Sequence, residues 1–186
     1  MNNEAKHIDL IIEGCKSGER RAQEQLYMYF YDAMMNLCLR YTKSEADAGD
    51  VLNAGFLRIF KSIHQFDAAK ASMYTWVRTI VTNCCLYHLK AKQKKIDTYE
   101  LNDAADSLYV QPAVDLKISD QEILDLVRGL PPATQAVFNL YVIDGYDHKE
   151  IATLLEISEG TSKWHLSDAR KKLKHQLLEK QANTSE

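Results

Sequence analysis

The chain has 186 residues, 46% of them hydrophobic and 26% charged, with a formal net charge of -3; this suits one ordinary domain or two small ones. It excludes a protein that gathers phosphate by bulk positive charge, so any nucleic-acid site must be local. No run approaches the roughly 18 apolar residues that cross a bilayer, and "MNNEAKHIDL" lacks the basic and apolar regions of a secretory signal, so a cytoplasmic protein without membrane insertion is expected.

Only seven glycines and three prolines punctuate the sequence. Long stretches repeat apolar residues at three and four without strand-like alternation, which predicts an all-α fold. The first two helices are expected at about 5–17 and 20–42, and a third from Ser44, its N-cap, to about 64. In that third helix Leu52, Phe56, Ile59, Phe60 and Ile63 form the inward stripe, leaving Asp47, Asp50, Ala54, Arg58 and Lys61 outward. Gly49 and Gly55 should weaken it by about 1 kcal/mol each.

The polar turn "QFDAAKAS" leads into a fourth helix over about 72–92. Met73, Val77, Ile80, Val81 and Cys84 point inward. Trp76, Asn83 and Lys90 follow at heptad spacing along one edge, beside outward Thr75, Thr79, Thr82 and Leu86. An aromatic ring, an amide and a cation in line can stack on, hydrogen-bond to and hold the phosphate of a single strand; Trp76 is equally readable as a core aromatic.

Composition then shifts. "IDTYELNDAADSLYVQPAV" carries Asp97, Glu100, Asp103 and Asp106 and no Lys or Arg, and its apolar residues keep no helical period. It reads as a flexible acidic linker, 96–116, between domains 1–95 and 117–186. A helix follows at about 119–128, and "GLPPATQAVF" stops it and starts the next, because Pro fits a helix only in its first turn. That next helix is expected to run to about 143 and to close at "DGYD". "HKEIATLLE" is a short helix, and "ISEG" a turn into the last and longest one.

Short helix, tight turn and longer helix, with apolar Ile151, Ala152, Leu155, Ile157, Leu166 and Ala169, make the layout of a DNA-binding helix-turn-helix. On a helical wheel, Ser162, Leu166, Ala169, Leu173 and Leu177 form the packing stripe. Trp164, Asp168, Lys171 and His175 lie opposite, flanked by Lys163, Ser167, Arg170 and Lys174 on one side and by His165 and Lys172 on the other. Between Glu159 and Lys180 six basic residues stand against three acidic ones, a local excess that suits phosphate. Charge alone would fit any solvated surface helix; turn and charge together carry the reading. Trp164 can equally pack on a neighbouring element. Cys15, Cys38, Cys84 and Cys85 contain no C-x-x-C pair and read as buried free thiols, and the six histidines never take zinc-ligand spacing, so neither a metal nor another cofactor is expected.

"LPPATQAVFNLYVIDGYDHKEIATLLEISEGTSKWHLSDARKKL" resembles the C-terminal promoter-binding domain of extracytoplasmic-function sigma factors of bacterial RNA polymerase. "DAGDVLNAGFLRIFKSIHQFD" and "WVRTIVTNCCLYHLK" resemble the core-binding and promoter-melting region of the same family, with Asp47, Ala48, Asp50, Phe56, Phe66, Trp76, Ile80, Asn83 and Lys90 at its pattern positions. The resemblance implies a sigma region 2-like domain, which binds core RNA polymerase and the minus-ten element, and a region 4-like domain for the minus-thirty-five element. It implies polymerase contact at Asp47, Asp50 and Asn53, and capture of minus-ten bases by Phe66, Ser72, Trp76, Asn83 and Lys90, one base flipping into a pocket made partly by the loop 66–72. The basic tail Lys90, Lys92, Lys94 and Lys95 would hold the strand. Duplex reading falls to Thr161, Lys163, Trp164, His165, Ser167, Asp168, Arg170 and Lys171.

An anti-sigma partner is also implied. No catalytic residue is, since synthesis belongs to the polymerase. The sequence departs from the family pattern: Gly49 and Ala54 replace acids, Asn53 a Gln and Gly55 a larger residue, so the polymerase contact rests on fewer charges. Asp168 stands where a base-reaching cation is common; it can accept from cytosine N4 but cannot hold phosphate. Affinity is therefore expected from Lys163, Arg170 and Lys171, and discrimination from Trp164, His165 and Asp168. Two other readings compete: a helix-turn-helix regulator that binds duplex DNA without acting as a sigma subunit, and a thiol or metal enzyme built on Cys84, Cys85 and His88. The row Trp76, Asn83, Lys90 disfavours the first, and the lack of a positioned base or acid disfavours the second.

Overall fold

The computed structural model describes residues 3–93 and 120–184, with side chains described for 7–91 and 121–180. The acidic stretch 96–114 lies outside the described residues, as do Lys94 and Lys95. Every regular element among the described residues is helical. The chain divides into two units, Met1–His88 and Leu89–Glu186.

In the N-terminal unit α1 (Asn3–Lys16) packs on α2 (Arg20–Leu39), and α2 on α3 (Glu45–Ser62). The turn from α1 to α2 passes through Gly18 at φ 78°, a conformation that glycine adopts without steric cost. Ser44 caps α3 as the sequence predicts: its hydroxyl oxygen accepts from the Asp47 N–H at 3.1 Å while its O–H donates to Asp47 Oδ2 at 2.9 Å. The inward stripe also holds, with Leu52, Phe56, Ile59 and Ile63 buried, but Phe60 is only half-buried and Ala48, Val51 and Gly55 join the core.

Helix α4 (Met73–Gln93) lies against both neighbours. Cys85 Sγ is 3.9 Å from Cys38 Sγ on α2, and the Tyr74 ring is 6.3 Å from that of Phe30. On the α3 side, a Cβ added to Gly55 would come within 3.1 Å of the Val81 side chain, so this glycine permits the close approach of α3 and α4. Two partners widen the buried arc beyond a single stripe. Thr82 and Leu86, expected outside, are therefore buried, while Ile80 is only half-buried.

In the C-terminal unit α5 (Asp120–Arg128) is followed by α6 (Pro132–Phe138), with Pro132 in its first turn as expected. The helix continues to Ile143, but its last stretch, Asn139–Ile143, is π-helical: the Asp144 N–H bonds the Asn139 carbonyl, five residues back, at 2.9 Å. Helix α7 (His148–Leu155) opens with a capping box, Glu150 N–H to Asp147 Oδ1 at 2.7 Å and Asp147 N–H to Glu150 Oε2 at 2.8 Å, which satisfies two otherwise orphaned donors. Glu156, left-handed at φ 59°, ends it. After Ile157 and the cap residue Ser158 the chain enters α8 (Glu159–Thr184).

Helix α8 packs on α5, α6 and α7; its Ser162, Leu166 and Ala169 are buried, as are Val137, Leu140 and Ile151 in the same unit. Leu173 and Leu177, expected in the same stripe, are only half-buried, and Leu178 is exposed.

Candidate nucleic-acid interface

The second helix of the helix-turn-helix meets solvent along Lys163, Arg170, Lys171 and Lys174, all exposed. They line one flank of α8 at spacings of seven, one and three. Ser167 lies within this row and is half-exposed, as is Thr161, whose N–H bonds Ser158 Oγ at 2.9 Å and whose hydroxyl is 2.8 Å from it. Trp164 is half-buried, its ring set edge-on to that of His165 with centroids 4.9 Å apart. Both readings of Trp164 stay compatible with this setting: one part packs, another is open.

His165 is not on the outer face where the wheel put it. It is 8% exposed, and its Nδ1 lies 3.0 Å from Thr134 Oγ1 on α6. The reason is the one that applies to α4: a helix flanked by two packing partners, here α6 and α7, buries more than one stripe. Asp168 is likewise turned inward, accepting from the Thr134 hydroxyl at 3.2 Å and from Lys172 Nζ at 2.6 Å. Burial holds the His165 pKa below the ordinary 6.5; Asp168 works against the shift and Lys172 with it.

A second anchor, not anticipated from the sequence, joins α7 to α8. His148 Nδ1 is 2.9 Å from Ser162 Oγ, and its ring stacks on Tyr141 at 4.5 Å. Burial again lowers the histidine pKa, Lys163 and Arg170 adding to the shift and Glu159 and Asp147 opposing it. The signal was present: Ser162 fell in the packing stripe, and a buried hydroxyl requires a partner.

The predicted single-strand edge of α4 is open at Asn83 and Lys90, both exposed. Trp76 is half-buried and tilted against Phe66, with ring centroids 5.6 Å apart. The loop 66–72 is shaped at both ends. Asp67 Oδ1 accepts from the Ala69 N–H at 2.9 Å, and Ser72 Oγ accepts from the Thr75 N–H at 3.1 Å as the cap of α4. Phe66, Ser72 and Trp76 thus come together at one end of the helix, and Asn83 and Lys90 extend the line along it.

On α3, Asp50 and Asn53 are exposed, and Asn53 Oδ1 accepts from the Tyr27 hydroxyl at 3.2 Å. Asp47 is half-buried and its carboxylate is engaged by Ser44, so it serves the helix start and complements the positive helix N-terminus.

The four cysteines are buried free thiols. Burial pushes the Cys15 thiol up to about 11 and raises that of Cys84; a hydrogen bond with Cys38 and burial raise that of Cys85. These are the opposite of an activated nucleophile. Among the described residues no cluster of His, Cys, Asp or Glu could hold a metal ion, and no helix is long and apolar enough to cross a membrane.

Comparison with known proteins matches both units. The family model described as Sigma-70 region 2 matches residues 26–95, and that described as Sigma-70, region 4 matches residues 120–173. The ECF RNA polymerase sigma factor SigM of Bacillus subtilis (strain 168) is 26% identical over 155 residues, spanning 81% of this chain and 92% of its own. SigW of the same organism is 26% identical over 179 residues, spanning 89% and 94%. Among solved structures, the sigma factor RpoE in complex with the anti-sigma factor NepR from Bartonella quintana shares the fold. Its TM-score is 0.55 at 16% identity, covering 83% of this chain and 95% of that one. The two matched regions follow one another along the chain and take in the α4 edge and α8 as far as Leu173. The chain belongs to the sigma-70 family of RNA polymerase subunits, in its extracytoplasmic-function type, and directs transcription from promoters.

Proposed function

We propose a division of this work among the residues described above. The exposed Asp50 and Asn53 on α3, with Asp47 at its start, meet core RNA polymerase. Phe66, Ser72 and Trp76 form one end of a single-strand track that Asn83 and Lys90 continue, and this track takes bases of the minus-ten element. Pockets that accept extruded bases offset the cost of unstacking, so melting needs no fuel. Helix α8 enters the major groove of the minus-thirty-five element; Lys163, Arg170 and Lys171 hold phosphate, while Thr161, Trp164 and Ser167 reach base edges. His165 and Asp168 contribute from inside the helix packing rather than as free readers. The chain residues assigned here bind and position; bond-making in RNA synthesis belongs to the polymerase.

The observation that carries this reading is the presence of both matched regions in one chain. A regulator that only bound duplex DNA would need the second alone. The partners are core RNA polymerase, promoter DNA and an anti-sigma factor, the last supported by the complex in which the RpoE neighbour was solved. A cytoplasmic location follows from those partners. Runoff transcription with reconstituted core enzyme tests the reading: the chain should confer promoter-dependent transcripts, and core binding no better than that of an unrelated helical protein would refute it.

A further inference from the structure

On the side of α8 turned toward α6, four polar groups form a continuous chain. Thr134, 1% exposed, places its Oγ1 3.0 Å from His165 Nδ1 and 3.2 Å from Asp168 Oδ2, and Lys172 Nζ lies 2.6 Å from that same oxygen. Counting protons fixes every direction. A hydroxyl has one proton to give, and an ionised carboxylate has none. Asp168, paired with Lys172, can only accept, so Thr134 donates to it. The free lone pair of Thr134 then accepts from His165, which carries its proton on Nδ1 and leaves Nε2 as an acceptor. Burial keeps this imidazole neutral near pH 7. The order is His165 Nδ1–H to Thr134 Oγ1–H to Asp168 Oδ2, with Lys172 closing the far end.

Two attachments three residues apart on one helix, both ending on a single hydroxyl of another, fix rotation about the helix axis as well as separation. They also hold back a charge. Asp168 is the only acid of α8 between Glu159 and Glu179, and it sits two residues before Arg170. Released, its carboxylate would compete for the amine of cytosine in the groove.

We propose that Thr134 is a specificity-determining positioning residue for α8: through His165 and Asp168 it sets the rotation of the helix and keeps the Asp168 carboxylate off the DNA. This rests on the assignment of α8 to the minus-thirty-five duplex.

The test is selection of minus-thirty-five variants with holoenzyme assembled from wild-type chain, Thr134→Val, Thr134→Ser, and Thr134→Val combined with Asp168→Ala. Thr134→Val should raise preference for cytosine at one position by about tenfold, with core polymerase binding unchanged. Thr134→Ser, which keeps the hydroxyl, should restore the wild-type profile, and the double variant should lose the new preference. A Thr134→Val profile equal to wild type at every position overturns the proposal, as does a shift that survives removal of Asp168. Nitrogen NMR of His165 in the full chain without DNA gives an independent reading, which does not depend on whether Thr134→Val folds. An Nδ1–H tautomer is expected, and Nε2–H refutes the relay whatever the promoters show. If wild-type holoenzyme has no minus-thirty-five preference at all, the assignment of α8 to DNA fails and the proposal falls with it, a result distinct from an unchanged Thr134→Val profile.

Discussion

Among the described residues, the N-terminal unit buries two polar side chains, Thr42 and Thr82, within a core of Leu26, Phe30, Met34, Leu52, Phe56 and Ile59. The C-terminal unit buries five: Thr134, Gln135, Asn139, Ser162 and His165. Apolar packing is non-directional and tolerates small rotations of one helix on another. A hydrogen bond has a distance and an angle, and a buried group that loses its partner incurs its full desolvation cost. The unit proposed to take bases along a row of side chains on α4 can rely on shape. The unit proposed to set one helix in a groove at one rotation uses bonds.

Four experiments can break or sharpen this contrast. Phe56→Ala should have the largest effect, since it empties a site that is 2% exposed; a loss of about 3–5 kcal/mol is expected from urea unfolding. In the C-terminal unit Ser162→Val should cost about 1–3 kcal/mol by leaving His148 without its partner, whereas Ser162→Val with His148→Leu should recover most of it. Equal costs for the single and double variants would mean that the bond carries no direction-dependent energy.

Mild acid separates the units next. His148 and His165 both have pKa values lowered from 6.5. Above about pH 6.5 folded and unfolded histidines are both neutral; below it the unfolded chain takes up protons first, so stability falls with pH until the folded rings also charge. Hydrogen exchange on the full chain at about pH 7.5 and 5.5 should show α7 and α8 losing protection. Protection in α7 and α8 that is unchanged at the lower pH would argue against the lowered pKa of these two histidines.

The smallest effects distinguish two glycines of α3. Gly49 has nothing within 4 Å of an added Cβ, while Gly55 has Val81 at 3.1 Å. Gly49→Ala should gain up to about 1 kcal/mol, and Gly55→Ala should lose stability because the neighbour is wholly buried; thermal melts of the two variants should move in opposite directions.

Some helix starts were legible from residue type alone. Ser44 supplied a hydroxyl at an N-cap and Pro132 a fixed φ in a first turn, whereas the Asp147 carboxylate that caps α7 was read only as part of the turn closing the helix before it. Burial arcs were legible only in part, because a wheel assumes one packing partner. Thr82, Leu86 and His165 were misplaced outward on helices flanked by two. Leu173 and Leu177 erred the other way: periodicity continues to the end of α8, but the stripe is fully covered only as far as Ala169. Of the residues proposed to meet duplex DNA, Lys163, Arg170 and Lys171 were legible as exposed, because charge keeps them out of a core. The partners of Thr134 were not legible, since nothing in "LPPAT" says which helix its hydroxyl faces.

The π-helical stretch Asn139–Ile143 has a bearing on length rather than on energy. A π turn accommodates one residue more than an α turn, so the C-terminal unit carries a spare position between α6 and α7. Excising one residue there, Val142 for example, would let the segment relax to an ordinary helix at little local cost. Residues on both sides of the excised position would then keep their places in space, and the Tyr141–His148 stack would persist with one residue fewer between the rings. Homologues that lack a single residue at this point should therefore brace α7 in the same way, and an alignment that closes the gap would pair residues that do not occupy the same place in space.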